Sequence, residues 1–153
     1  MAKIHLNKGH NLKIKGTPKA VLLGLPCPTK IKIVPDHFQG VKPKLLVKIG
    51  DSVKVGNPLF FDKNNPKILF CSNVSGKILN IKFGDRRKVE FIEISCEDTD
   101  GEFTTPSIKL EDLKKEDIVN LLLENGLWPS IRQRPFSKIA NPEDTPKSIF
   151  ITA

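Results

Sequence analysis

The stretch "ILFCSNVSGKILNIKFGD", residues 68–85, decides how the chain is read. An apolar run meets a small polar tip, Ser72–Gly76; a second apolar run follows and ends on Gly84-Asp85. Short β-rich runs bounded by Gly, Asn, Asp and Ser predict strands with turns between them. Working back, Lys44–Ile49 alternates as a strand and Gly50-Asp51 makes a tight turn. Ser52–Val55 resumes, Gly56-Asn57-Pro58 turns again, and Leu59-Phe60-Phe61 is apolar. "DKNNP" (residues 62–66) is dense in turn formers. With "IKIVP" upstream and Val89–Ser95 downstream, the turns recur at a spacing that predicts a small β barrel or sandwich. Its expected core is Leu45, Val47, Ile49, Val53, Val55, Leu59, Ile68, Phe70, Ile78, Leu79, Ile81 and Ile92.

Outside this block the character changes. Residues 1–27 form a lead-in arm with Gly, Pro and one alternating run, Leu12 and Ile14. After an acidic linker at 97–105, "LEDLKKEDIVNLLLENGLW" switches to helical spacing, with Ile118, Leu121 and Leu122 on one face. Gly126 stands where a left-handed residue closes a helix. Residues 128–147 hold four prolines and are expected to be loop, and "SIFITA" reads as an apolar strand needing neighbours. The expected organisation is an arm at 1–27, a barrel at 28–100, and the start of an α/β domain at 101–153 that is cut short.

Composition narrows the classes. The 153 residues carry a net charge of +8. It is uneven: residues 1–95 hold 18 Lys and Arg against 6 Asp and Glu, and residues 96–127 hold 3 against 9. A basic surface of this kind suits nucleic acid, anionic headgroups or an acidic partner. With four Arg, no Tyr and no aromatics alternating with the lysines, nucleic-acid binding is not expected. No apolar run approaches the roughly 18 residues that a membrane span needs. Cys27, Cys71 and Cys96 lack metal-site spacing, and His5, His10 and His37 fit no HxxxH pattern. Asp51 and Asp85 read as turn formers, and Cys71 as a small buried hydrophobe. No catalytic or metal-ligating set is expected.

Two halves of the barrel resemble the biotinyl and lipoyl carrier domains. Gly50-Asp51-Ser52-Val53-Lys54-Val55-Gly56-Asn57-Pro58-Leu59 is similar to their first half. Val74-Ser75-Gly76-Lys77-Ile78, followed by Gly84-Asp85, is similar to their second. The resemblance implies a barrel-sandwich hybrid over residues 28–95, with Gly50-Asp51 and Gly84-Asp85 at related turns. In carriers a modified lysine stands at the tip between the halves. Here the nearby lysine is Lys63, with no Met beside it, and Pro66 is expected to disturb a tight tip. Lys63 is considered and rejected as a modified lysine, so a lipoyl- or biotinyl-type carrier remains the alternative reading; a basic nucleic-acid binder is the second.

"GVKPKLLVKIGDSVKVGNPLFFDKNNPKILFCSNVSGKI", "LLLENGLWPSIRQRPFSKI" and "TPKSIFITA" together resemble the N-terminal third of the A-subunit family of the sodium-translocating NADH:quinone oxidoreductases. The resemblance implies a peripheral subunit on the cytoplasmic face of the bacterial inner membrane. It implies as partners the other subunits of a complex that uses NADH, flavins and ubiquinone to export sodium, and a role in quinone binding or assembly. In flavin-binding relatives a glycine-rich loop follows the helix and cradles the FMN phosphate. The equivalent "GLWPSIRQRPFSKI" keeps Gly126 alone, so no bound cofactor is expected in this chain. The candidate contacts for a quinone or a partner are Trp128, Arg132, Arg134 and Phe136. Against this stands a plainer reading in which Trp128 fills the core and Arg134 pairs with a carboxylate.

Overall fold

The computed structural model describes residues 13, 15–17, 19–22, 24, 26, 28–96 and 113–151. The predicted arm and acidic linker lie mostly outside the described residues, as do Leu12, Ile14 and Cys27. Among the described residues the strands are β1 (Lys30–Ile33), β2 (Pro43–Leu45), β3 (Ser52–Val53), β4 (Pro58–Asp62), β5 (Asn65–Cys71), β6 (Gly76–Phe83) and β7 (Val89–Ser95). A helix, α1 (Lys115–Glu124), and a small hairpin, β8 (Arg132–Gln133) and β9 (Lys138–Ile139), follow. One four-stranded sheet runs in the order β1-β7-β6-β3 and a three-stranded sheet in the order β2-β4-β5. All pairs are antiparallel. The chain is a mostly β barrel-sandwich hybrid with one described helix.

The two sheets share one core. Leu59, Phe60, Ile68 and Phe70 from the smaller sheet pack with Val53, Ile78, Ile81, Val89, Ile92 and Ile94 from the larger. Phe70 anchors the aromatic centre, stacked on Phe60 at 4.5 Å and edge-on to Phe38 at 4.6 Å. Burial of this apolar surface is the main driving term.

A repeated turn sets the outline of the barrel. Lys48–Asp51 and Lys54–Asn57 fold alike. Gly50 and Gly56 take φ of +93° and +86° at the third position, which a side chain disfavours. In each, the fourth residue's side chain accepts the first residue's N–H at 2.8 Å. Each turn is then gripped by the opposite segment. Gly50 N–H donates to Ile78 O and Ile78 N–H to Asp51 O. Gly56 N–H donates to Ser72 O and Ser72 N–H to Asn57 O. The six-residue repeat in sequence thus becomes a six-residue repeat in pairing.

The second Gly-Asp is a different turn. Gly84 is extended, with φ −97° and ψ −154°, and the left-handed conformation falls on Arg86 and Arg87, with φ of 54° and 59°. The expected relation between Gly50-Asp51 and Gly84-Asp85 therefore does not hold in backbone geometry. The reason is local: residues 84–88 close a β-hairpin, whose right-handed twist favours two left-handed central residues, whereas residues 48–51 join no hairpin.

Two of the expected core residues, Ile49 and Leu79, are exposed, and two more are only half-buried, of which Leu45 still packs against the core. Ile49 is 61% exposed because it occupies the outer corner of the Lys48–Asp51 turn. The strand predicted for Lys44–Ile49 ends at Leu45. Leu79 is exposed because Ile78 pairs with Ile94 and Asn80 with Glu93, leaving Leu79 as an extra residue in a β-bulge. Leu45 and Val55 are half-buried. The tail 148–151, expected as a strand, pairs with none of the described residues, and Ile149, Phe150 and Ile151 are exposed.

Candidate functional site

The segment after α1 is built to dock on the barrel. The helix starts where the Asp117 carboxylate accepts the Lys114 N–H at 3.0 Å, capping an otherwise free donor. It ends in a Schellman motif: Leu127 N–H donates to Leu122 O at 2.9 Å and Gly126 N–H to Leu123 O at 3.2 Å. Gly126 has φ +66°. A β-carbon at Gly126 would lie 2.5 Å from Cys71 Sγ and 2.9 Å from Cys71 Cβ. Glycine is required here twice, by the left-handed turn and by the approach of the helix end to β5.

Immediately beyond, Trp128 and Pro129 turn down into the barrel. Trp128 is 7% exposed and belongs to the core together with Leu123. Its Nε1–H donates to Ala140 O at 2.7 Å, so the indole joins the two ends of the segment that leaves and returns to the core. The β8–β9 hairpin lies between those ends and is solvent-exposed from Ile131 to Lys138. The four candidate residues therefore separate into two groups. Trp128 has the surroundings of a core residue. Arg132, Arg134 and Phe136 project on the hairpin; Phe136 is 69% exposed. The Arg132 guanidinium lies 5.9 Å from the Phe38 ring. Among the described residues no carboxylate lies within ion-pair distance of Arg134.

Two clefts flank this docking. One of about 230 Å³ lies between Phe38, Phe70, Cys71 and the loop residues Gly126, Pro129 and Arg132. Burial pushes the Cys71 thiol above its usual range, so it has the character of a neutral packing group. The other, of about 350 Å³, lies between the β4–β5 turn and residues 138–141. There Asn65 Nδ2 donates to Asn141 Oδ1 at 3.3 Å, and Lys67 Nζ meets Glu143 Oε1 at 2.9 Å. The Lys67 ammonium, by hydrogen bond and charge, holds the Glu143 carboxyl below its usual range.

The lysine considered for modification stands at the end of the β4–β5 hairpin. Lys63-Asn64 forms the turn, and the buried Asp62 carboxylate accepts N–H groups from Asn64 and Lys42, both at 3.0 Å. Phe61 pairs with Leu69 and Asp62 with Asn65, so β5 carries three surplus residues, Pro66 among them, before the regular ladder begins. The tip is therefore bulged on one side. Among the described residues there is no cluster of metal-ligating side chains, and no helix is long and apolar enough to cross a membrane.

The β8–β9 hairpin falls in the stretch 128–147 expected as loop: residue type singled out Arg132, Arg134 and Phe136, but the short strand pairing of Arg132 with Ile139 and Gln133 with Lys138 was not expected. Nor was the docking of Gly126 on Cys71, because nothing in sequence ties positions 55 residues apart.

Residues 4–97 match the family described as the NqrA N-terminal barrel-sandwich hybrid domain, and residues 113–153 match that described as the NqrA second alpha/beta domain. Among curated proteins, the chain is 35% identical over 153 residues to the A-subunit of the Na(+)-translocating NADH-quinone reductase of Tolumonas auensis. It is 38% identical to the proteins of that name from Neisseria meningitidis and Serratia proteamaculans, over 152 and 154 residues. Each match covers 98% of this chain and 34% of the relative, so the chain spans about a third of their length. The chain belongs to the NqrA N-terminal barrel-sandwich hybrid domain family.

Proposed function

We propose that this chain is part of a peripheral subunit of a membrane-bound complex that couples NADH oxidation and quinone reduction to sodium export. In that complex it holds no redox cofactor of its own and serves assembly, with the other subunits as partners; contact with ubiquinone is the second reading of the same surface. The observation that carries the proposal is the match along 98% of the chain to relatives named as A-subunits of the Na(+)-translocating NADH-quinone reductase. The geometry favours a scaffold over a redox site. The segment corresponding to a flavin loop is filled by Trp128 and Pro129, both buried, where a phosphate cradle needs open backbone N–H groups. It presents instead a rigidly based hairpin with Arg134 and Phe136 outward, and Arg and aromatic side chains dominate contacts when desolvated.

A carrier role is disfavoured by the bulged tip at Lys63 and by the ties of Asn65 and Lys67 to residues 141 and 143. A cytoplasmic placement belongs to the same proposal. The test is Arg134→Ala with Phe136→Ala in the full-length protein, followed by isolation of the complex. The reading predicts reduced recovery of assembled complex; a raised KM for quinone with normal assembly would select quinone contact. Normal assembly with unchanged kcat and KM would show that the hairpin serves neither assembly nor quinone contact.

A further inference from the structure

All four arginines of the chain stand in two hairpin loops: Arg86 and Arg87 between β6 and β7, Arg132 and Arg134 on β8–β9. The loops are 45 residues apart in sequence, yet they flank one short segment. Lys88 Nζ pairs with Asp36 at 2.6 Å, and the Arg132 guanidinium lies 5.9 Å from the ring of Phe38, two residues further on. Each hairpin also exposes a phenylalanine: Phe83, the last residue of β6, at 52%, and Phe136 at 69%. No acidic residue lies between Glu124 and Glu143, so the β8–β9 cations have no carboxylate on their own segment. Arg86 and Arg87 hold left-handed backbone that glycine or asparagine would adopt more cheaply. That conformation is a cost borne in the fold, and it places two guanidinium groups at an outermost turn.

We propose that this face is a membrane-contact surface that binds anionic phospholipid. Guanidinium groups pair with phosphate headgroups in a two-pronged manner, and the neighbouring phenylalanines reach the apolar boundary beneath them. The arrangement suits a flat bilayer, because the cations and aromatics stand on two separate hairpins; Arg132 also borders the cleft beside Cys71, whereas Arg86, Arg87, Arg134 and Phe136 line neither of the two clefts described above. The proposal rests on the peripheral placement above for its biological setting, but the binding itself requires no partner subunit.

The experiment is co-sedimentation of the full-length protein with vesicles of phosphatidylcholine alone or with phosphatidylglycerol added. Binding is expected with the anionic vesicles alone and weakens as salt rises. At about 1 kcal/mol per cation near the surface, Arg132→Gln with Arg134→Gln lowers the partition constant about thirtyfold. Arg86→Gly with Arg87→Gly lowers it by a similar factor while raising the Tm by about 2–6 °C, which a structural role for these arginines would not produce. Phe136→Ala costs about tenfold without changing the salt dependence. The control is Lys54→Gln with Lys77→Gln, at the opposite end of β6, which leaves binding nearly unchanged. Absence of binding to anionic vesicles, or equal loss in the control, overturns the proposal. Arginine variants that bind anionic vesicles normally overturn the proposal whether or not they co-purify with the other subunits, so its failure is read separately from the assembly test above.

Discussion

Replacing Gly76 by alanine tests the close approach of β6 to β7 within the larger sheet. Gly76 pairs with Val53 on β3 and is buried. A β-carbon there would overlap the Ser95 carbonyl oxygen and lie 2.8 Å from its carbonyl carbon. Both are backbone atoms of β7, so no side-chain rotation relieves the overlap. β7 has to retreat, and it is tied on both sides. Ser95 Oγ accepts the Lys77 N–H at 2.9 Å, and Cys96 N–H donates to Thr29 O at 2.9 Å. Overpacking of this kind costs about 1–3 kcal/mol. Weakening those two hydrogen bonds adds about 1 kcal/mol each. The expected loss is about 3–5 kcal/mol, or about 6–20 °C in Tm for a domain of this size. Gly84→Ala is the matched control. Its β-carbon would meet only the Glu90 carboxylate, which can swing away at the expense of the exposed Lys82–Glu90 pair. That costs below about 1 kcal/mol. Urea unfolding of both variants decides. If Gly76→Ala is as mild as Gly84→Ala, the close approach of β6 to β7 is wrong.

At the helix end, Gly126→Ala is expected to destabilise through both strain and contact with Cys71; Cys71→Ala in the same chain removes the Sγ overlap, while the close Cβ approach at 2.9 Å and about 1 kcal/mol of left-handed strain remain. A denaturation double-mutant cycle showing simple additivity would refute that contact. Trp128→Phe should cost about 1–3 kcal/mol by orphaning the Ala140 carbonyl, and Trp128→Ala about 3–5 kcal/mol, both read from unfolding curves. The Cys71 thiol is raised by burial, so its alkylation should rise with pH at a higher midpoint than that of a free thiol, and should quicken on unfolding. Glu143 is lowered by Lys67, so its small contribution to stability is present above the unfolded carboxyl range and is lost as pH falls through the folded value. An NMR titration should place Glu143 below an ordinary glutamate, and Lys67→Ala should return it.

The strands that sequence marked most firmly are those with clean alternation between strong turn formers. Gly76–Phe83 and Val89–Ser95 stand where the pattern put them. So does the helix closed by Gly126. What sequence concealed is pairing. A bulge at Leu79 reverses which side chains face inward, and an apolar residue gives no local sign of being the surplus one. Phe60, Val89 and Ile94 are buried through neighbours distant in the chain. The hairpin residues Arg132, Arg134 and Phe136 were legible as candidates by type. That Arg132 and the β6–β7 loop reach the same short segment, through Phe38 and Asp36, was not legible, because it depends on contacts between positions far apart in the chain.

The most direct test of the proposed function is to isolate the full-length protein, through an affinity tag, from gently solubilised membranes of its own organism. The preparation should contain companion subunits and show NADH:quinone reductase activity stimulated by sodium. The tagged protein itself, separated from the others, should be colourless and have the mass of its unmodified sequence. A protein that emerges alone, or whose mass shows a lipoyl or biotinyl group on Lys63, would contradict the account.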